Sequence, residues 1–343
     1  MEFSNEKPRV TVRQIAHEMN VSHTTISRAL RDDPRITPGL RAQVQRKARE
    51  MGYRPDPMLA ALAHYRRSNA KKPISAGLAW INIWKNPKKL RSFKEFDLYW
   101  RGASEEAERS GFRLEEFILN GDLTPARLEK ILLTRNIRGV LLPPVGVASV
   151  DWTGLDWDHF CIVRFGHSIL APRAHLVTSD QLTDGLMAYE NIWKNGYRRI
   201  GLVTRPNMLT RFRAGYLLGE MDRNPPKRIS PLLLPESGTD EQQVLKAWIQ
   251  EHKPDAILTD IAQVPDLIRQ AGFKIPGDLG IATLSVLDGN ADAGIYQNSR
   301  EIGRAAVQML ISLINHNESG VPEVCRELLI EGRWVNGSTL PPK

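Results

Sequence analysis

The fold of the amino-terminal part of the chain is decided by residues 10–56, which read VTVRQIAHEMNVSHTTISRALRDDPRITPGLRAQVQRKAREMGYRPD. Apolar residues recur at helical spacing in the first part of this stretch, at Val12, Ile15, Ala16 and Met19. Thr11 stands just before them, where a hydroxyl can cap the first turn. We therefore predict a short helix over residues 12–19.

A second helix is predicted from Ser22, another capping residue, to about Arg31. Its buried stripe is formed by Ile26, Ala29 and Leu30. The opposite side then presents polar and charged groups to solvent, from His23, Thr24, Ser27, Arg28 and Arg31.

Only Asn20 and Val21 separate the two helices, and Asn tolerates the left-handed backbone that so tight a turn needs. A third helix is marked by Thr37 as its cap, by Pro38 at its first position and by Gly52 as its stop. Its apolar stripe is Leu40, Val44, Ala48 and Met51. Two short helices crossing steeply, with a third packed below, form a helix-turn-helix unit.

The charge of the chain is concentrated in the same region. Residues 1–72 hold 15 Lys and Arg against 7 Asp and Glu, so the remainder, from totals of 47 and 39, holds 32 of each. A basic segment attached to a neutral body is typical of a nucleic-acid-binding module. The alternative is a basic tail that is merely solvated.

Composition excludes several other classes of protein. Cys161 and Cys325 are the two cysteines and form no CxxC motif, which argues against a disulfide framework or a zinc site. No apolar run approaches the length of a membrane span, and residues 1–9 lack the apolar stretch of a signal peptide. We therefore expect a cytoplasmic protein that does not associate with a membrane.

The segment after the third helix predicts a hinge. Asp56 can cap a further helix that continues through MLAALAHY, and Pro57 suits its first turn. Because so short a helix is marginal alone, we expect DNA to order it. Residues 66–73, RRSNAKKP, follow as a polar linker.

From residue 73 onward, short apolar runs alternate with amphipathic helical stretches. The runs that we predict as buried strands are GLAWINIW, FRLEEFIL, RGVLLP, FCIVRFG, RRIGLVT, PDAILTD and LGIATLSV. Alternation of this kind is typical of a parallel sheet covered on both faces by helices.

Residues 10–56 resemble the DNA-binding headpiece of the lactose-repressor (LacI/GalR) family along their whole length. The resemblance implies that the second helix lies in the major groove, with His23, Thr24 and Arg28 contacting bases. It further implies phosphate contacts from Thr11, Ser22, Thr25 and Tyr53. Asn20 replaces the family's usual turn Gly, and Gly39 stands where an acidic residue is common.

In the hinge, Leu62 takes the place of the family's leucine wedge, which opens a base step from the minor groove. Leu59 and Ala63 differ from the alanine and basic residue that the family commonly shows. Packing of Leu59 and Leu62 against the rest of the protein is the alternative to a role in the minor groove.

The resemblance continues more thinly through the core, at GYRRIG (196–201), AGY (214–216), PDAI (254–257), Gln297 and IG (302–303). It implies two doubly wound lobes, similar to periplasmic sugar-binding proteins, joined by three crossings of the chain around a ligand cleft. Since such sheets bind ligands at the carboxyl ends of their strands, the candidate effector-binding residues are Trp84, Asp180, Arg205, Phe212, Asp260, Ser285 and Gln297.

Three of these candidates, Asp180, Asp260 and Gln297, align with polar positions that commonly meet the effector in the family. Phe212 and Ser285 stand where many sugar-responsive members place an Arg and an Asp, so the anchoring chemistry differs here. Trp84 or Phe212 can stack on the apolar face of a sugar. A capping or core role is the alternative for each candidate.

The predicted organisation is an all-α helix-turn-helix headpiece (residues 1–55), a hinge helix and linker (56–72) and a two-lobed α/β core (73–343). The lobe near the DNA would hold about 73–185 and 298–318, and the distal lobe about 186–297 and 319–336. No leucine-rich heptad tail follows residue 333, which favours a homodimer over a tetramer.

The function that we expect is sequence-specific regulation of transcription, with repression as the default. A homodimer would bind near-palindromic operator DNA, and a small-molecule effector, most simply a carbohydrate, would control its affinity. An enzyme is the first alternative, but GxGxxG, GxxxxGK[ST], GxSxG and HExxH motifs are missing, so we expect no catalysis, cofactor or metal. A secreted solute-binding protein is the second, and the headpiece argues against it.

Overall fold

A computed structural model of the chain describes residues 10–30, 33, 35–53, 76–119, 122–145, 151–206, 210–225, 227–235 and 240–343. The predicted hinge helix and linker, residues 56–72, lie outside the described residues, and Leu59 and Leu62 lie there with them. Arg31, predicted to lie on the exposed side of the second helix, is also outside them.

The headpiece contains three helices, as predicted: α1 (Val12–Glu18), α2 (His23–Ala29) and α3 (Pro38–Glu50). Thr11 and Gln14 form a reciprocal capping box at the start of α1. Between the helices lies a small core whose fully or nearly fully buried members are Ile15, Ala16, Ile26, Ala29, Val44 and Ala48. Most of the predicted stripe residues therefore do face one another.

The turns of the headpiece follow the sequence signals with one difference. Asn20 adopts a φ of 52°, the left-handed backbone predicted for the tight turn between α1 and α2. Gly52 likewise has a φ of 72° after α3. Thr37 precedes α3, but its side chain makes no capping hydrogen bond, so Pro38 alone marks this start.

The first lobe of the core is built on a parallel sheet with the strand order β11-β5-β4-β3-β1-β2. Its strands are β1 (Ala76–Asn82), β2 (Phe112–Ile118), β3 (Gly139–Leu142), β4 (Cys161–Phe165), β5 (His175–Ser179) and β11 (Glu327–Ile330). Its helices are α4 (Pro87–Leu90), α5 (Lys94–Arg109), α6 (Pro125–Thr134) and α11 (Ser299–His316).

The second lobe repeats this plan with the order β12-β10-β9-β8-β6-β7, parallel except where β10 meets β12. Its strands are β6 (Ile200–Thr204), β7 (Leu232–Leu233), β8 (Ala256–Thr259), β9 (Gly280–Thr283), β10 (Gly294–Tyr296) and β12 (Arg333–Val335). Its helices are α7 (Gln181–Lys194), α8 (Thr210–Arg223), α9 (Glu241–His252) and α10 (Val264–Gln270).

Close helix pairs anchor each lobe. In the first lobe α5 and α11 approach at Gly102 and Gly303, where an added Cβ would lie 1.9 Å from the carbonyl oxygen of Arg300 and 2.1 Å from that of Tyr99. Since no side chain fits in that space, glycine sets the spacing of the two helices.

Within the stretches of chain described above, no helix is both long enough and apolar enough to cross a bilayer.

The chain passes between the lobes three times, after β5, after β10 and between β11 and β12. The carboxyl-terminal part corrects one expected boundary, because residues 319–336 do not belong to the distal lobe as a block. Strand β11 extends the first sheet beside β5, with backbone bonds from Leu176 N to the carbonyl of Arg326 and from Asp180 N to that of Ile330, both 2.9 Å. Only β12 joins the second sheet.

Candidate DNA-reading face and ligand cleft

The exposed side of α2 carries the side chains predicted to read DNA. His23 and Thr24 are exposed, while Ile26 and Ala29 on the opposite side are completely buried in the headpiece core. Thr24 and Arg28 lie one helical turn apart and therefore point to the same side. We call His23, Thr24, Ser27 and Arg28 the reading face.

The residues predicted to contact phosphates lie at the ends of the headpiece helices. Ser22 caps α2: its Oγ accepts the N–H of Thr25 at 3.0 Å and is hydrogen-bonded to the Thr25 hydroxyl at 2.8 Å. Thr11 is exposed at the start of α1, and its Oγ1 accepts the N–H of Gln14 at 3.3 Å. Tyr53 packs, half-buried, against the headpiece core. Ser22 and Thr11 thus cap the amino ends of α2 and α1. Backbone N–H groups at the amino end of a helix favour an anion such as a phosphate.

Arg28 has a carboxylate neighbour that the sequence analysis did not single out. Its Nε lies 4.0 Å from Oδ2 of Asp33, and its side chain is 41% exposed. Asp33 also accepts two-pronged hydrogen bonds from the guanidinium of Arg35. Hydrogen bonding by Arg35 lowers the pKa of Asp33 to about 2.

Part of the reading face, Thr24 and Arg28, borders the first lobe in this structure. Asn317, at the end of α11, donates from Nδ2 to the carbonyl of Leu30 at 2.8 Å. Thr24 and Arg28 line one wall of a cavity whose other wall includes Asn136 and Asn317 of the core. Thr24 stays exposed at this cavity, and the Arg28 side chain is 41% exposed.

In the core, most of the predicted effector-binding residues follow the carboxyl ends of strands. The residues so placed are Trp84 after β1, Asp180 after β5, Arg205 after β6, Asp260 after β8, Ser285 after β9 and Gln297 after β10. Each is half-buried. The strand ends of both lobes therefore supply polar and aromatic groups to the region of the crossings, as the doubly wound plan requires.

Several of these side chains are already engaged within the protein. Trp84 donates from Nε1 to the carbonyl of Pro144 at 2.8 Å, and Gln297 donates to that of Leu284 at 3.2 Å. Asp180 caps α7 by accepting the N–H of Thr183 at 3.1 Å. These contacts fix the side chains in place while leaving the Trp84 ring, tilted against Phe93, at the edge of the first-lobe core.

Two of the predicted contacts with the effector need correction or qualification. Phe212 was expected to line the cleft, but its side chain is completely buried in the core of the second lobe, which is the core role given as the alternative in the sequence analysis. The reason is that Phe212 lies on the inner side of α8 rather than at a strand end. Arg205 is paired with Glu241 at 2.9 Å and also donates to the carbonyl of Pro235, so it points along the second lobe.

Two carboxyl groups in the described region, those of Asp184 and Asp260, each have one enclosed oxygen without a hydrogen-bond partner there. Burial raises the pKa of Asp260, whose Oδ1 has no hydrogen-bond partner among the described residues. Burial also raises the pKa of Asp184, at the start of α7, to about 7. Asp184 accepts the N–H of Gly332 at 3.0 Å, at the third crossing, and its Oδ2 has no partner in that same part of the chain.

A cluster of polar groups joins the two lobes directly, and the sequence analysis did not find it. Glu95, in the first turn of α5, is 5% exposed and accepts hydrogen bonds from the hydroxyls of Ser285 and Ser299. Asp288, from the second lobe, accepts the N–H groups of Lys94 and Glu95 at 2.8 and 3.0 Å. Glu95 lies inside a helix far from Ser285 in sequence, so no local pattern could have paired them.

The fold and the headpiece define a DNA-binding regulator of transcription, and comparison with known proteins agrees with this class. Residues 11–56 match the family described as bacterial regulatory proteins, lacI family. Residues 189–339 match the periplasmic binding protein-like domain. The chain therefore carries a lacI-family helix-turn-helix domain followed by a periplasmic binding protein-like domain.

Similar proteins share the full length of the chain. The HTH-type transcriptional repressor CytR of Escherichia coli (strain K12) is 25% identical over 361 residues, covering 97% of this chain and 98% of CytR. The transcriptional regulator CelR in complex with cellobiose is 18% identical with a TM-score of 0.56, covering 96% of this chain and 100% of that chain. The lac repressor dimer bound to operator and the anti-inducer ONPF is 16% identical with a TM-score of 0.54, covering 97% and 100%. At such identities the solved structures establish the fold.

Proposed function

We propose that the protein is a repressor that binds a near-palindromic operator as a homodimer and whose DNA affinity is set by a small molecule. The observation that carries this proposal is the reading face, an exposed imidazole, hydroxyls and a guanidinium on a helix held by a three-helix core. The repressor CytR, similar over its whole length, supports the direction of regulation. Operator DNA as the partner also fits the cytoplasmic location that we expect.

Each headpiece would place α2 in the major groove of one half-site. His23 and Thr24, at the amino end of the helix, would contact the first bases, and Arg28 would contact a guanine through its two-pronged guanidinium. Thr11, Ser22, Thr25 and Tyr53 would hold phosphates and so fix the register. The hinge segments of the two chains, with Leu59 and Leu62, would then meet in the minor groove at the centre of the operator.

The effector would control DNA affinity by changing how the two lobes are arranged relative to each other. The candidate contacts are Trp84, Asp180, Arg205, Asp260, Ser285 and Gln297, which lie at strand ends near the crossings. A ligand that binds one arrangement of the lobes better than another shifts the protein toward that arrangement. CelR is described with bound cellobiose, which makes a carbohydrate our proposed class of effector.

Two titrations test the proposal. Binding to a preferred duplex and to a scrambled duplex of the same length should differ by about 10³-fold or more, with a steep dependence on salt. A thermal-shift screen of sugars and sugar acids should find a ligand that raises the unfolding midpoint of the core. The same ligand should change the affinity for the preferred duplex. A ligand that stabilises the core without changing DNA affinity would contradict allosteric control.

A further inference from the structure

Asp33 occupies a fixed position between α2 and α3. Its N–H donates to the carbonyl of Arg28 at 3.0 Å, and its own carbonyl accepts a hydrogen bond of 3.3 Å from Nη2 of Arg41. The side chain is only 15% exposed. The carboxylate is therefore held by the backbone at the carboxyl end of the helix that carries the reading face.

This carboxylate lies between two guanidinium groups. Arg35 donates from Nε to Oδ1 at 2.9 Å and from Nη2 to Oδ2 at 2.7 Å, while its backbone N–H also donates to Oδ1. Arg28 forms a longer ion pair with the same carboxylate, with its Nε 4.0 Å from Oδ2. Because hydrogen bonds from Arg35 hold the pKa of Asp33 near 2, the group is charged throughout the physiological range.

The arrangement has a clear consequence for the orientation of Arg28. A guanidinium has five N–H donors in a planar fork, and a two-pronged contact with guanine uses two of them. Asp33 faces the Nε edge of Arg28, which leaves the terminal N–H groups for a base. A long side chain restricted in this way loses less conformational freedom when it meets its target.

A negative charge beside a DNA-binding surface does not increase the affinity for DNA, so Asp33 needs another explanation. Phosphates repel a carboxylate, and each basic residue that it neutralises contributes less to binding of any sequence. Asp33 therefore lowers attraction to DNA in general at the place where one side chain must choose among bases.

We propose that Asp33 is a positioning residue for sequence discrimination: it aligns Arg28 for its base and lowers the attraction of the headpiece to DNA of any sequence. The inference rests on the proposed function, because it assumes that Arg28 reads a base. Asp33, held in place by Arg35, would act on base recognition only through Arg28. Neither Asp33 nor Arg35 would contact a base.

The test uses the full-length chain and the duplex that wild-type protein prefers. Asp33→Asn keeps the shape of the side chain and removes its charge. Affinities are measured for the preferred duplex, for the duplex changed at the base pair where Arg28→Ala loses discrimination, and for bulk competitor DNA. Discrimination at that pair should fall about 3- to 10-fold, while affinity for the competitor should rise about twofold, the size expected for one charge near the surface that is already paired with Arg35.

A matched control separates orientation from net charge. Glu18→Gln removes one negative charge from the pair that Glu18 makes with Lys47 at 3.7 Å, between α1 and α3. It should raise affinity for competitor DNA to a similar extent and leave discrimination at the Arg28 position unchanged. If Asp33→Asn unfolds early, Arg35→Gln, which releases the carboxylate from its clamp, should also lower discrimination.

The outcomes are distinct. The inference would be overturned if Asp33→Asn discriminated at the Arg28 base pair as well as the wild type does, while Arg28→Ala did not. It would also be overturned if Asp33→Asn lost affinity equally for every duplex. If the wild-type protein prefers no duplex at all, the proposed function itself fails, and the role of Asp33 fails with it.

Discussion

The hydroxyl of Ser285 in the second lobe donates a hydrogen bond to the carboxyl group of Glu95 in the first lobe, and Asp288 caps the helix on which Glu95 lies. The lobes are thus held together by the protein's own polar groups. Ser285 was predicted to contact the effector, and in this structure that position serves a contact between lobes. An effector that binds here must compete with Glu95 for the hydroxyl or bridge the two groups.

Ser285→Ala should loosen the contact between the lobes. Glu95 would lose one donor and the N–H of Asp288 would lose its acceptor, at a cost of about 1–3 kcal/mol in the free energy of unfolding. Small-angle X-ray scattering should then show a larger radius of gyration for the variant. Ser338→Ala is the control, because Ser338 donates to Asp292 at 2.8 Å within the second lobe. An unchanged radius in Ser285→Ala would show that the contact does not hold the lobes.

Asp184→Asn should change how stability depends on pH. Burial raises the pKa of Asp184 from 3.8 to about 7, so the folded state holds this proton more tightly than the unfolded state does. The resulting stabilisation of the fold is complete below pH 3.8 and is lost as the pH rises through 7. The variant keeps an acceptor for Gly332 and cannot ionise. At pH 8 the wild-type core should therefore be less stable than the variant by up to about 4 kcal/mol, with the difference vanishing toward pH 4. Equal shifts of the unfolding midpoint between pH 5 and 8 in both proteins would contradict this.

Arg28→Ala should lower discrimination at one position of each half-site by about 1–3 kcal/mol, because one two-pronged base contact is lost. Thr11→Ala should instead weaken binding to all sequences alike, since phosphates carry no sequence information. Competition titrations against duplexes with single base changes measure both effects. An unchanged sequence preference in Arg28→Ala would remove this residue from the reading face.

Leu62→Ala should reduce bending of the operator and leave the folded core intact. The prediction comes from the sequence, where Leu62 takes the place of a wedge that opens a base step in the minor groove. Gel mobility of circularly permuted duplexes measures the bend, and the unfolding midpoint of the core is the control. Equal bending by the variant and the wild type would assign Leu62 to packing.

The headpiece was predictable because its signals are local. Ser22 caps α2 and Asn20 takes the left-handed turn as expected, since a cap and a tight turn depend on residues only a few positions apart. The buried strands of the core were predictable for a similar reason, because continuous apolar runs mark strands that are covered on both faces. All seven predicted strands are present, with their ends shifted by at most three residues.

The features that the sequence did not predict depend on contacts between distant residues. Strand β11 is largely exposed at the edge of its sheet, and its apolar run covers only residues 328–330, so it was assigned to the wrong lobe. Phe212 was placed in the cleft because of its aligned position, but the rotation of α8 turns it into the core. Glu95 and Ser285 meet across the lobes although 190 positions separate them in sequence.

The central claim is that the exposed side of α2 reads base pairs. Selection of duplexes by the purified full-length protein from a random pool, at modest ionic strength and with bulk competitor, tests it most directly. We predict enrichment of a near-palindrome, with the preference at one position per half-site lost when the selection is repeated with Arg28→Ala. A pool that shows no sequence preference after repeated rounds would contradict the account.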